Sequence, residues 1–332
     1  MTRLGILVAA LAVFMIAPRV LERLRSAPPR WRVRLAFLTV LGMGASSVSL
    51  LAVVLFPEAL LATSMGDMWH SEAIHDLVKQ PLLRAASLAA GAILSFVLLR
   101  FLWGLINGAR STSRARVRSA ERSWILAGGE SVFVLPVEAP MAYSLGRGRG
   151  EVVISRGLFG TLDPPELGAV LLHEEGHVHS HDHRRILLVR AIRSALGLLP
   201  SVRAAAGAME QAMEEAADEH AARRLDDPAV VASALSKTAL SGMHTPPGAL
   251  AVMSELDVVG RVHRLLEPPR VPEWMPWACV AVAGALLAFL ALTQVMVGLA
   301  VLAATHHLVS AGAVAILPLP PAVRSAAIHT VA

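Results

Sequence analysis

The chain has 332 residues, 55% of them hydrophobic and 17% charged, with a formal net charge of +5 and a mean hydropathy of +0.58. A soluble domain of this size carries more charge on its surface, so the excess apolar content belongs in lipid. The arginine clusters flank apolar stretches, as membrane orientation requires, and no groove-reading motif accompanies them, which argues against direct nucleic-acid binding. The single cysteine, Cys279, lies in an apolar run. It excludes an intramolecular disulfide and a multi-cysteine zinc site, so any metal ligands must be histidines and carboxylates.

The first apolar stretch, Leu4 to Ala17, is short and resembles a signal-peptide core. No small-residue cleavage site follows it, and we read it as a first transmembrane helix. A basic loop comes next, with Arg19, Arg23, Arg25, Arg30, Arg32 and Arg34. The second stretch, Leu35 to Phe56, has no charge. The third, Leu82 to Ile106, carries Arg84 and Arg100 near its ends, where long side chains snorkel. The loop between them, from Pro57 to Pro81, is acidic, whereas Arg110, Arg114, Arg116, Arg118 and Arg122 follow the third stretch. The arginine-rich loops face the cytoplasm, which places the amino terminus outside.

The segment after the third span reads as a cytoplasmic domain. Val132 to Val137 and Glu151 to Ser155 look like strands, and Gly146 to Gly150 is a glycine-rich turn. Asp163 is a candidate N-cap, with Pro164 at the first helical position and Glu166 placed to complete the cap. A helix should then carry Leu167, Val170, Leu171, His173 and His177. Arg184 to Leu199 fits either a helix at the membrane interface or a core helix. Another helix is expected over Ala204 to Leu225. The last apolar stretch, Trp274 to Ala304, opens with Trp274 and Trp277, residues suited to an interfacial belt.

The expected architecture is therefore a mainly α membrane protein of about four transmembrane helices with a cytoplasmic α+β zinc protease domain. Residues 1–106 form a membrane region with three spans, 107–273 the protease domain, 274–304 the fourth span and 305–332 a short extracytoplasmic tail. The expected partner is the lipid bilayer of a cell membrane, crossed several times.

The chemistry is concentrated in Leu172-His173-Glu174-Glu175-Gly176-His177, an H-E-x-x-H pattern. On a helix, positions four apart share one face, so His173 and His177 can bind one zinc ion per chain. Glu174 lies about 100° around the helix from His173. It cannot be a comfortable ligand, but it can act as general base on a zinc-bound water and pass the proton to the leaving amine. A third ligand is required. A second helix carrying Glu214 would supply it, with Asp218 one turn later orienting a histidine, and Glu215 is the less favoured ligand because it lies on another face.

Other residues invite roles. His220 is a candidate catalytic oxyanion donor. His179 and His183 are four apart, but they and His181 read more simply as polar residues on the exposed end of the zinc helix. Asp182 has a default structural role, pairing with an arginine or capping a helix. Tyr143 fits packing at a strand end better than oxyanion assistance. His70, His75, His306 and His307 read as membrane-boundary residues.

The run from Glu166 to His177 resembles the active helix of the membrane gluzincin proteases, and Glu214-x-x-Ala217-Asp218-Glu219 resembles their third-ligand motif. Two families share this layout. One is M56, the protease part of antibiotic sensors of the BlaR1/MecR1 type. The other is M48, which includes HtpX and the CAAX prenyl protease Ste24. The expected spans and the run His181-Asp182-His183-Arg184-Arg185 favour M56, which implies a regulatory protease whose substrate, by analogy, is a cytoplasmic transcriptional repressor. No Ser-x-x-Lys sensor motif follows the last span, so a β-lactam receptor role is not expected. The M48 alternative implies quality control of damaged membrane proteins, and a different class is a non-catalytic signalling protein that keeps the fold. Pro140 to Gly146 and Val153 to Leu158 resemble the paired strands that precede the zinc helix in both families, one of them able to bind substrate backbone by strand addition.

Overall fold

In a computed structural model the described residues are 18–55, 81–118, 123–127, 130–145, 151–241 and 255–288, with 291 and 295. They fall in two compact units. To the first belong Ser47–Leu94 and both chain ends, of which the C-terminal part of one helix, the N-terminal part of the next, and residues 291 and 295 are described. The second is Ala9–Ser46 with Ser95–Leu290, which includes most of the segment expected to form the protease domain. The expected first span, the acidic loop with His70 and His75, the glycine-rich turn, and the tail with His306 and His307 lie outside the described residues.

Helix α1 runs Pro29–Leu55 and α2 Pro81–Arg118. Both reach further than the apolar stretches that mark them in sequence. On α1 the stripe Val33, Ala36, Val40 and Met43 follows helical spacing and is fully buried. It meets Ile186, Val189 and Ile192, together with Val202, Ala205, Ala206, Met209 and Met213. That half of α1 is a core element as well as an apolar one. Among the described residues one helix, Leu88–Ser111, is long and apolar enough by length and composition to cross a membrane, and a shorter apolar helix covers Met275–Ala288.

Strands β1 (Ser123–Ala127), β2 (Glu130–Leu135), β3 (Ala142–Leu145) and β4 (Glu151–Ser155) form one sheet in the order β1-β2-β4-β3. β1 and β2 are antiparallel, β2 and β4 parallel, and β4 and β3 antiparallel. β2 begins and ends two residues earlier than its sequence pattern indicates. Pro136 has no N–H for the ladder, so the strand stops at Leu135. β1 is an additional strand, and β3 is an edge.

Helix α3 (Arg156–Thr161) follows, then α4 (Pro164–His179), α5 (Asp182–Leu196), α6 (Pro200–Leu225), α7 (Pro228–Leu240), α8 (Glu255–Leu266) and α9 (Met275–Ala288). One sheet face packs Val132, Ala142, Val152 and Ile154 against Leu167, Val170, Leu171 and Val178 of α4. The opposite side of α4, through Ala169, meets Ala221 of α6 and Val231 and Ala234 of α7. The zinc-motif helix is thus clamped between sheet and helices. Its amino end is fixed by a reciprocal cap, in which Glu166 accepts the Asp163 N–H at 2.9 Å. The same carboxylate accepts from Lys237 at 2.7 Å and Ser233 at 2.6 Å, joining α4 to α7.

Candidate metal centre

Two sequence features bring α6 and α5 onto α4. The first is Gly176: a Cβ built there would lie 3.2 Å from the Cα of Ala217 and 3.3 Å from the Cβ of His220. A side chain at this position would force α6 to give by a few tenths of an ångström. The second is the left-handed backbone of His181, φ 55°, which ends α4 and reverses the chain into α5. That reversal brings Asp182 back onto His177.

His173, His177 and Glu214 offer ligand atoms that all lie within 4.8 Å of one another, the one such cluster among the described residues. His173 Nε2 and His177 Nε2 are each 3.6 Å from a different oxygen of Glu214. A tetrahedral site with metal–ligand bonds of about 2.0–2.1 Å separates its ligands by roughly 3.3 Å, so the spacing fits zinc with little movement. Each histidine uses its other nitrogen on a carboxylate. Nδ1 of His173 is 3.0 Å from Asp218, and Nδ1 of His177 is 3.0 Å from Asp182. A proton held at each Nδ1 leaves both Nε2 lone pairs free for metal.

Glu174 is buried, and its Oε2 has no hydrogen-bond partner. A buried orphan acceptor is costly unless something polar belongs beside it. It is the donor-seeking group that a water-activating centre needs. Burial pushes its carboxyl above the usual range. Burial also opposes charge on His173, but hydrogen bonds to Asp218 and Glu214 outweigh it and push the imidazole up to about 10. Burial likewise opposes charge on His177, and Asp182 outweighs it. Burial would raise Glu214, yet Arg261 and the two histidines bring it down to about 2. Asp218 is held below its ordinary range by Arg261 despite burial.

Arg261 is a further buried residue at this centre. It projects from α8, is 2% exposed, and forms a two-pronged contact with Asp218, both distances 2.7 Å. Its third nitrogen lies 3.1 Å from Glu214. The readable signal is the spacing Val258, Arg261, Val262, Leu265, which puts an arginine on the apolar face of a short amphipathic helix. Asp182 was assigned a structural role from sequence; it is 3% exposed and also accepts from Arg185 at 3.1 Å.

The remaining candidates fall elsewhere. Glu215 points away from the cluster, pairing with Arg32 of α1 and with Arg264 of α8 at 3.1 Å. His220 stands on the α4–α6 contact, its ring 6.1 Å from that of His179 and its Nε2 3.9 Å from Glu175. That nitrogen is buried and, among the described residues, makes no hydrogen bond. His179 and His183 do not share a helical face, because α4 ends at His179 and the turn at His181 intervenes. Tyr143 is buried among Leu135, Leu145 and Val153.

Comparison with known proteins places this centre in context. Residues 120–231 match the family model described as Peptidase family M48. The stretch includes both histidines, Glu174, Glu214 and Asp218, but not Arg261. A protease HtpX homologue of Aquifex aeolicus is 34% identical over 73 residues, 21% of this chain and 24% of that protein. One from Tropheryma whipplei is 33% identical over 103 residues, 29% of this chain and 35% of its own length. The chain thus covers about a quarter to a third of the curated relatives it matches. These matches support a metallopeptidase of family M48. Of the two families that the sequence resembles, they point to M48 and not to M56.

Proposed function

We propose that this chain is an integral-membrane, zinc-dependent endopeptidase of the HtpX-like kind, cutting peptide bonds in cytoplasmic or membrane proteins. In this reading about four helices span the cell membrane, the amino terminus lies outside, and the metal centre faces the cytoplasm. The observation that carries it is the convergence of two Nε2 atoms on Glu214, each histidine being fixed from behind by its own aspartate. The repressor-cleaving alternative depends on the M56 resemblance, and no comparison supports it.

His173, His177 and Glu214 would hold the zinc. When bound, it lowers the pKa of a coordinated water and polarises the scissile carbonyl. The chain's own groups do the rest. Glu174, raised by burial, takes a proton at Oε2 and returns it to the leaving amine. Asp218 and Asp182 hold the imidazoles in one tautomer and orientation. β3, an edge of the sheet, would be the strand to pair with an extended substrate backbone. Elemental analysis of detergent-purified protein tests the site. Wild type should hold about one zinc per chain, and His177→Ala and Glu214→Ala should lose it. Retention of zinc by Glu214→Ala would refute the ligand assignment.

A further inference from the structure

Glu215 and the residues one, two and three turns before it, Gln211, Ala208 and Ala204, share one face of α6. On that face Glu215 points away from the metal cluster. The small side chains of Ala204 and Ala208 open a cavity of about 200 Å³ there, with Gln211 beside them. Its far wall comes from the other end of the chain. Residues 18–23 are helical, and they and the turn after them supply Leu21, Glu22 and Arg25, while α1 supplies Arg32.

The charges of this wall do not cancel. Arg32 is 7% exposed and pairs with Glu215 through one terminal nitrogen. Glu215 is already held by Arg264, whose Nε is 3.1 Å away. Arg264 spends its other two nitrogens on the turn, donating to the carbonyls of Arg25 at 3.2 Å and Ala27 at 3.1 Å. Two guanidiniums therefore share one buried carboxylate, and the charge of Arg25 also bears on Arg32. A buried cation in excess calls for an anion. A guanidinium has five donors in a fork that matches two phosphate oxygens. Arg32 gives one side-chain hydrogen bond, to Glu215, and also lines the cavity. Glu22 stands on the same wall with the opposite sign and is exposed. The cavity thus sets two cations beside one carboxylate.

We propose that this cavity binds a phosphoethanolamine headgroup, with Arg25 and Arg32 holding the phosphodiester and Glu22 and Gln211 holding the ammonium. A free phosphate would leave Glu22 facing an anion, and a phosphocholine has no N–H to give to a carboxylate. The source of such a headgroup is the bilayer. The wall belongs to the arginine-rich segment between the apolar stretches Leu4 to Ala17 and Leu35 to Phe56, and such segments lie at headgroup level. The inference goes beyond the peptidase reading and needs no metal. It gives the bilayer a contact with Arg32 and, through it, with Glu215, the residue beside candidate ligand Glu214.

Native mass spectrometry of the full chain in detergent tests this, with phosphatidylethanolamine, phosphatidylcholine and phosphatidylglycerol of matched acyl chains offered in turn. Wild type should retain a single phosphatidylethanolamine about tenfold more strongly than either other lipid. Arg25→Gln removes an exposed cation, and Ala208→Leu fills the cavity. Both should lose that retention, with circular dichroism unchanged. Glu22→Gln should keep the lipid but lose the preference for phosphatidylethanolamine over phosphatidylcholine. Should Ala208→Leu fail to fold, Arg25→Gln decides. Equal retention of the three lipids by wild type overturns the proposal, as does full retention in a folded Arg25→Gln. Displacement of the lipid by an equal concentration of inorganic phosphate overturns the headgroup assignment.

Discussion

Arg261 grips both oxygens of Asp218 at 2.7 Å, and Asp218 in turn meets Nδ1 of His173 at 3.0 Å. The candidate metal ligand is therefore oriented by a carboxylate that is itself fixed by a buried guanidinium from α8. The same guanidinium reaches Glu214, so one residue positions two of the three candidate ligands.

Replacing Arg261 should therefore damage the centre without touching it. Arg261→Met leaves Asp218 and Glu214 as adjacent buried carboxylates. Breaking such a pair costs about 3–5 kcal/mol of stability, and loss of outer-shell support lowers zinc affinity about 10–100-fold. Chelator competition and thermal unfolding measure both. Arg261→Lys keeps the charge but loses the planar fork, so it should recover only part of the affinity. Full affinity in Arg261→Met would show that Asp218 needs no partner.

Asp182→Asn should weaken zinc binding by a similar factor, because His177 loses the acceptor that fixes its tautomer. It differs from the Arg261 variants in leaving Glu214 paired. A variant with unchanged zinc affinity would return Asp182 to a capping role.

The helix contact at Gly176 predicts a distinct failure. Gly176→Val must push α6 away from α4, because the new side chain meets the Ala217 backbone. Overpacking of this kind costs about 1–3 kcal/mol. Zinc binding should fall more than secondary-structure content does, as read by circular dichroism beside metal titration. Normal zinc affinity would show that α6 can move away from α4 without disturbing the centre.

Zinc must compete with protons at this centre. With no metal, Asp218 and Glu214 push His173 up to about 10, and Asp182 pushes His177 above its ordinary value, so protons at both sites oppose the metal. Raised histidines stabilise the metal-free fold below the unfolded pKa of about 6.5. That contribution is lost as pH rises through the folded value. Zinc needs neutral imidazoles, so loading should release protons and apparent affinity should climb steadily from pH 6 to 9. Calorimetry in buffers of different ionisation enthalpy counts the protons. No proton release at pH 7 would show that the histidines are already neutral.

How far the sequence discloses this protein depends on the range of the interaction. His173, Glu174 and His177 are local, set by the period of one helix. The Asp163–Glu166 cap and strand β4 are local too. Glu214 is legible through its spacing from Asp218, a turn later on the same helix. Arg261 is not, because its partners are distant in sequence and only tertiary packing carries α8 to α6. Asp182 follows His177 closely, but a left-handed residue at His181, which sequence marks only weakly, is what folds it back. The stretch Leu35 to Phe56 reads as an uncharged span, although the buried stripe of α1 meets α5 and α6. Hydropathy does not distinguish burial in protein from burial in lipid.

The most direct test of the central claim compares peptide hydrolysis by zinc-loaded wild type and Glu174→Gln in nanodiscs, using an unfolded protein substrate. General-base loss removes about 100- to 10,000-fold in rate. The account predicts a loss in that range with zinc content unchanged, since Glu174 is not a ligand. Activity in Glu174→Gln equal to wild type would contradict it, as would a zinc-loaded wild type that cleaves nothing.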